Sequence, residues 1–295
     1  MEFPDADAFA DVLPDIAFPT FVDVRYEPPA PEVEDLPAAT REAVDRLPLA
    51  DVPEGGTIAV GLGSRGIQDI VPVAVTVLET LRDRGYDTVV VPAMGSHGGA
   101  SAAGQARTLA SLGLDQEILG CPIDPRMDTE VVGKTSTGQA VHVASAALEA
   151  DAVLVVNRVK PHTNFEGRIE SGVCKMAAIG LGKQPGAAGV HETAIEHGYV
   201  PAIEETLAVL SEEVPFLGGV AIVENFYDRA ARVEGLPASD LPDAEAALLA
   251  DAREWMATLP YDDLDALVVD RIGKDISGTG MDTNVVGRFN VVGAE

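Results

Sequence analysis

Five short apolar runs limit what this chain can fold into: Gly56–Gly63 (GTIAVGLG), Thr88–Ala93 (TVVVPA), Asp151–Asn157 (DAVLVVN), Gly218–Val223 (GGVAIV) and Leu264–Asp270 (LDALVVD). Each is too short for a stable helix, lacks the polar alternation of a half-exposed strand, and ends in glycine or polar residues, which is how strands buried on both faces read. Between them, Val71–Arg84, Ser101–Leu112, Val200–Ser211 and Ala244–Thr258 carry apolar residues at helical spacing. The alternation predicts an α/β fold, a mostly parallel Rossmann-like sheet flanked by helices. Residues 129–145 (TEVVGKTSTGQAVHVAS) predict a β-hairpin turning near Thr137-Gly138, with His142 a structural residue between Val141 and Val143. Residues 1–50, acidic and rich in proline, form a lead-in expected to pack on the domain, with Ala17–Val24 able to make an edge strand; residues 51–260 form the domain itself.

Charge narrows the function. Asp and Glu outnumber Lys and Arg 48 to 20, a formal net charge of -28. Nucleic acid and anionic membrane are thereby excluded as partners, because both require a basic footprint. Such a surface repels itself in dilute buffer and is relieved at molar salt, where the screening length falls to ~3 Å; a salt-loving cytoplasm is the expected setting. The first residues carry neither a basic start nor an apolar core of signal-peptide length, and no run approaches membrane-spanning length, so a soluble cytoplasmic protein is expected. Cys121 and Cys174 are too few and too far apart for a disulfide framework or thiolate zinc site.

Against that background, residues 158–197 stand out, since they hold three of the five histidines (His162, His191, His197) and three of the five lysines (Lys160, Lys175, Lys183). Ligands of parallel sheets bind beyond the carboxyl ends of the strands. Arg65 follows the first run, His97 the second within Met94-Gly95-Ser96-His97-Gly98-Gly99, and His162 the third, so strand order predicts that they converge. His97 and His162 suit acid–base work near neutrality. Lys175, in the apolar setting Gly172-Val173-Cys174-Lys175-Met176-Ala177, suits an amine of lowered pKa serving as a Schiff base or an attachment point. His191 can ligate a metal, although no HExxH or CxxC motif supplies partner ligands; His197, before Gly198, reads as a helix end. From residues alone, a metal- or Schiff-base-dependent lyase or isomerase of a small carboxylate and a non-catalytic ligand-binding protein both stay open.

The glycine-flanked Arg65, the loop Gly95-Ser96-His97 and the order His162, Lys175, His191 resemble the nickel-dependent lactate racemase family over about residues 55–285. The resemblance implies a racemase or epimerase of a small 2-hydroxy acid that removes the α-hydrogen as hydride and returns it to the opposite face. It implies a nickel pincer nucleotide tethered to Lys175, with His191 as nickel ligand, made by dedicated cofactor-synthesis enzymes. It further implies His97 and His162 as the acid–base pair, Ser64, Arg65 and Gly95 at the cofactor, and Arg65 with Lys274 on the substrate carboxylate. Ser64-Arg65-Gly66 stands where the family more often has Thr-Arg-Pro, and the interval from His162 to Lys175 is long for the lactate enzyme. Members continue into a second, smaller domain, so residues 261–295 are expected to begin one that this chain cuts short.

Circular dichroism across a salt series is expected to show the chain losing structure as salt falls well below about 1 M; full folding in dilute buffer would contradict a salt-adapted surface.

Overall fold

The computed structural model describes residue 20, residues 22–273 and residues 281–286. A five-stranded sheet, in the order β2-β1-β5-β6-β7, forms its centre. The strands are β1 (Thr57–Leu62), β2 (Asp87–Pro92), β5 (Ala152–Arg158), β6 (Phe216–Glu224) and β7 (Ala230–Pro237); β3 (Thr129–Lys134) and β4 (Ala140–Ala144) make a separate hairpin. The first four central strands pair in parallel, and β7 runs antiparallel beside β6. The sheet is thus the mostly parallel one that the apolar runs predict, with one addition. Residues 230–237 were not among the expected strands; they are only partly buried at the sheet edge, so their sequence (AARVEGLP) lacks the continuous apolar signature of a central strand.

Helices cover both faces. On one lie α1 (Leu36–Asp45), α2 (Ile70–Asp83), α3 (Ala102–Ser111) and the single turn α4 (Gln116–Leu119). On the other lie α5 (Ser145–Leu148), α6 (Val173–Lys175), α7 (Lys183–His197), α8 (Tyr199–Glu213) and α9 (Asp243–Trp255), with a short α10 (Thr283–Val286) closing the described residues. The strand period of two divides β1 between the layers: Ile58, Val60 and Leu62 join the core under α2, while Ala59 joins the core under α7 to α9. All nine residues of β6 are buried. A wide π-helical turn, Met176–Gly180, joins α6 to α7. It lies so close to the end of β2 that a Cβ at Gly180 would fall 2.5 Å from the Ala93 carbonyl oxygen.

Within residues 1–50, α1 is capped by the Asp35 carboxylate and packs against α2 and β7, so this part of the lead-in lies on the domain. Two expectations are corrected. Of the expected edge strand, residues 17–19 and 21 lie outside the described residues, and residues 22–24 are exposed and join no strand. Leu264–Asp270 is not a strand: Val268 is 88% exposed, and the sheet edge beside β6 is already occupied by β7. Among the described residues no helix is long and apolar enough to cross a membrane.

Gly235 shows how tightly α1 belongs to the fold, since a Cβ there would sit 1.9 Å from the Ala43 carbonyl oxygen. Gly235→Ala is expected to lower unfolding free energy by about 1–3 kcal/mol through overpacking, measured by thermal or denaturant unfolding at high salt. An unchanged midpoint would show that α1 does not hold this position.

Candidate active site

The carboxyl ends of β1, β2 and β5 open into one cleft of about 560 Å³. Its walls include Ser64 and Arg65 after β1, Gly95 and His97 after β2, Lys160 and His162 after β5, Lys175 from α6, His191 from α7 and Tyr199 from α8. This is where the chain reverses across the sheet, β1 connecting outward to β2 on one side while β5 lies on the other, the position at which open α/β sheets bind ligands. All the residues given a catalytic, cofactor, substrate or metal role from the sequence converge here except Lys274, which lies outside the described residues; Lys183 and His197 of the same segment do not line the cleft. His142 is elsewhere, hydrogen-bonded through Nδ1 to the Thr129 hydroxyl across the hairpin, and His197 ends α7.

The three cleft histidines are held alike. His97 Nδ1 lies 2.5 Å from the Ser64 hydroxyl, His162 Nδ1 accepts from the Asn164 backbone N–H at 3.1 Å, and His191 Nδ1 lies 3.2 Å from the Tyr199 hydroxyl. Each ring is oriented through Nδ1 and leaves Nε2 without a protein partner among the described residues. For His162 the donor is a backbone amide, so the neutral ring must carry its proton on Nε2.

An aromatic column joins two of these rings. Phe165 stacks on Tyr199 with centroids 4.6 Å apart, His162 lies 4.5 Å from Phe165, and His191 meets the Tyr199 edge at 5.7 Å. Lys175 Nζ sits 5.5 Å above the Phe165 ring. Ring pairs at such separations contribute about 0.5–1.5 kcal/mol each, and together they fix the spacing of His162, Lys175 and His191. Phe165 and Tyr199 were passed over in the sequence, although in a chain with 5% aromatic residues two rings in and beside the His/Lys-rich segment are a usable signal.

Burial first, and charge second, set the proton affinities. Burial and then the Lys175, Lys160 and Arg65 charges push His162 down to about 3. Burial, then Arg65 and Lys175, lowers His97, and burial, then Lys175, lowers His191. Lys175 is held at about 8, by burial and then by Arg65, with Glu170 opposing. Among the described residues, no acidic group forms an ion pair with Arg65, while Lys160 reaches Asp282 at 3.3 Å. A chain with a net charge of -28 has therefore concentrated cations in its cleft.

Supports outside the cleft hold these groups. Glu170, 2% exposed, accepts from the backbone N–H groups of His162 and Gly167 and from Arg253 of α9. Fully buried Glu245, also on α9, accepts from the Cys174 backbone N–H at 2.9 Å; burial pushes its carboxyl up to about 7, and its Oε1 has no hydrogen-bond partner. A Cβ at Gly172 would lie 2.3 Å from that carboxyl carbon, so a larger residue there would displace the Glu245 side chain. Burial raises the Cys174 thiol and keeps it protonated, which removes it as a nucleophile.

The comparisons with known proteins can be set against this geometry. Residues 64–199 match the family model described as the lactate racemase N-terminal domain. This segment is lactate racemase-like. The match spans every cleft residue named above, from Ser64 to Tyr199. No curated protein sequence matches the chain. Among solved structures, the lactate racemase apoprotein from Thermoanaerobacterium thermosaccharolyticum superposes with a TM-score of 0.58 at 14% identity, covering 73% of this chain and 55% of that one. The fold is therefore that of the lactate racemase structure over most of this chain, and the chain spans little more than half that protein's length.

For the lactate racemase-like domain the proton affinities give a direct test. A histidine depressed in the folded state stabilises the fold above its ordinary range near pH 6.5, and that contribution is lost as pH falls toward about 3. In histidine-labelled protein the His162 ring is expected to report the neutral Nε2–H tautomer, with no titration from about pH 8 to about pH 5 by NMR. A midpoint near the ordinary histidine value would contradict the buried, cation-lined setting.

Proposed function

We propose that this lactate racemase-like chain is a racemase or epimerase of a small 2-hydroxy acid, and that Lys175 and His191 hold a nickel pincer nucleotide in the cleft. The observation that carries the reading is the meeting of the Lys175 and Lys160 amines, three Nε2-presenting imidazoles and Arg65 in a single cation-lined cavity. The residues fit the group. An anionic nucleotide suits a cleft containing Arg65, Lys160 and Lys175, and an amine held at about 8 is partly neutral and able to form a covalent attachment. Among the described residues no three His, Cys, Asp or Glu side chains gather to bind a metal, so a nickel ion on His191 would draw its other donors from the cofactor. When bound, this group supplies an acceptor for the substrate's α-hydrogen as hydride, the easier route because the neighbouring carboxylate makes loss of a proton unfavourable.

The protein's own part is binding, orientation and proton handling. Arg65 would attract the substrate carboxylate with a charge-assisted hydrogen bond. His97, oriented by Ser64 through Nδ1, would receive the hydroxyl proton at Nε2 and return it. His162 presents an Nε2–H on the neutral ring; its low proton affinity owes its second-largest part to Lys175, and an anionic guest that neutralises these cations would raise it toward useful acid–base strength. Two histidines from different strand ends can serve opposite faces of a planar keto acid, which inversion of a carbon centre requires. We place the reaction in a salt-rich cytoplasm on the strength of the acidic surface, with cofactor-synthesis enzymes as necessary partners.

Protein produced together with those enzymes is expected to carry an adduct on the Lys175 peptide by mass spectrometry, and to erase the optical activity of a D- or L-2-hydroxy acid. Lys175→Ala is expected to abolish both, and His97→Ala to lower turnover about 10²–10⁴-fold. Racemisation by protein with an unmodified Lys175 would overturn the tethered-cofactor reading in favour of Schiff-base or simple metal chemistry.

A further inference from the structure

Lys183 is fully buried, yet it does not line the cleft. Its backbone is left-handed, with φ of 51° at a non-glycine residue that begins α7. Glycine would relieve that strain and methionine would avoid burying an amine, so a lysine here answers to something its side chain does. Nζ donates to the Pro92 carbonyl oxygen at 2.8 Å and to Gln105 Oε1 at 3.0 Å.

Gln105, on α3, is fully buried as well. Its Nε2 donates to the carbonyl oxygens of Gly95 at 2.8 Å and His97 at 3.4 Å. The amide can point its NH₂ at these two carbonyls only if its oxygen faces a donor on the other side, and Lys183 is that donor. Turned the other way, the amide would set oxygen against two carbonyl oxygens. The loop that receives these bonds has little stiffness of its own, since Gly95, Gly98 and Gly99 all take positive φ (57°, 68° and 66°). Burial lowers the Lys183 amine to about 8, and a neutral amine still has the two N–H groups these bonds need.

We infer that Lys183 and Gln105 act as a relay that positions His97, tying the carboxyl end of β2 and the glycine-rich loop to the start of α7. Lys183 is a positioning residue and touches no ligand. Its effect on turnover rests on the acid–base role proposed above for His97; its effect on where the ring sits does not.

The test uses the full chain at high salt with labelled histidine, the His97 signal being assigned through His97→Gln. Lys183→Met and Gln105→Met keep side-chain length and remove the relay from either end. Both are expected to retain the parent circular dichroism and to shift or broaden the His97 ring signals, leaving His142 and His197 in place. In cofactor-loaded protein, kcat is expected to fall about tenfold or more with KM within about twofold. An unmoved His97 signal in either folded variant overturns the inference, as does unfolding of both, which would assign the pair to global stability. Should Lys183→Met alone fail to fold, Gln105→Met decides. A moved signal with undiminished turnover would support the relay and contradict the acid–base role of His97.

Discussion

Arg65, Lys160 and Lys175 share one cleft in a chain whose formal charge is -28, and their mutual repulsion is the constraint to which the surrounding structure answers. Among the described residues Arg65 forms no ion pair with a carboxylate, and burial first, then the cleft cations, lowers every imidazole in the cleft. Like charges brought together without counter-ions destabilise a fold, so the framework holding them must be stiff. The parallel sheet provides that stiffness. β1, β2 and β5 are fully or nearly buried, and their carboxyl ends fix the origin of each loop.

Rigidity extends from the strands to the rings by a repeated device. Each cleft histidine is oriented at Nδ1 by a different kind of group: a hydroxyl from the β1 loop, a backbone amide, and a tyrosine phenol. Beneath them, Glu170 and Glu245 spend buried carboxylates on backbone N–H groups beside His162 and Lys175, while Lys183 and Gln105 do the equivalent for the His97 loop. Scarce ionisable groups in the interior thus serve to place the ionisable groups of the cleft. An anionic guest would relieve the repulsion, which ties cofactor and substrate binding to the same electrostatic term.

How much of this could be read in advance depended on how local the signal was. β1, β2, β5 and β6 were legible because burial on both faces leaves an uninterrupted apolar run. The convergence of Arg65, His97 and His162 followed from strand order, since three parallel strands must present their carboxyl ends together. β7 and the failed strand at Leu264–Asp270 show the limit: an edge strand needs little apolar character, and an apolar run becomes a strand only where a sheet edge is open to it. Gln105 and Lys183 were invisible as a pair, 78 residues apart in sequence and joined by one hydrogen bond. Glu170 and Glu245 were lost among 48 acidic residues, because composition cannot distinguish the buried few.

One electrostatic cavity contains three imidazoles, and ligand titration followed by NMR tests this most directly. Adding a small 2-hydroxy acid, or oxalate as a doubly charged mimic, to histidine-labelled protein is expected to shift His97, His162 and His191 with a single common affinity. Arg65→Ala should weaken that affinity, and His142 and His197 should stay still. Separate affinities for the three rings, or equal movement of His142 and His197, would contradict a shared anion-binding cleft.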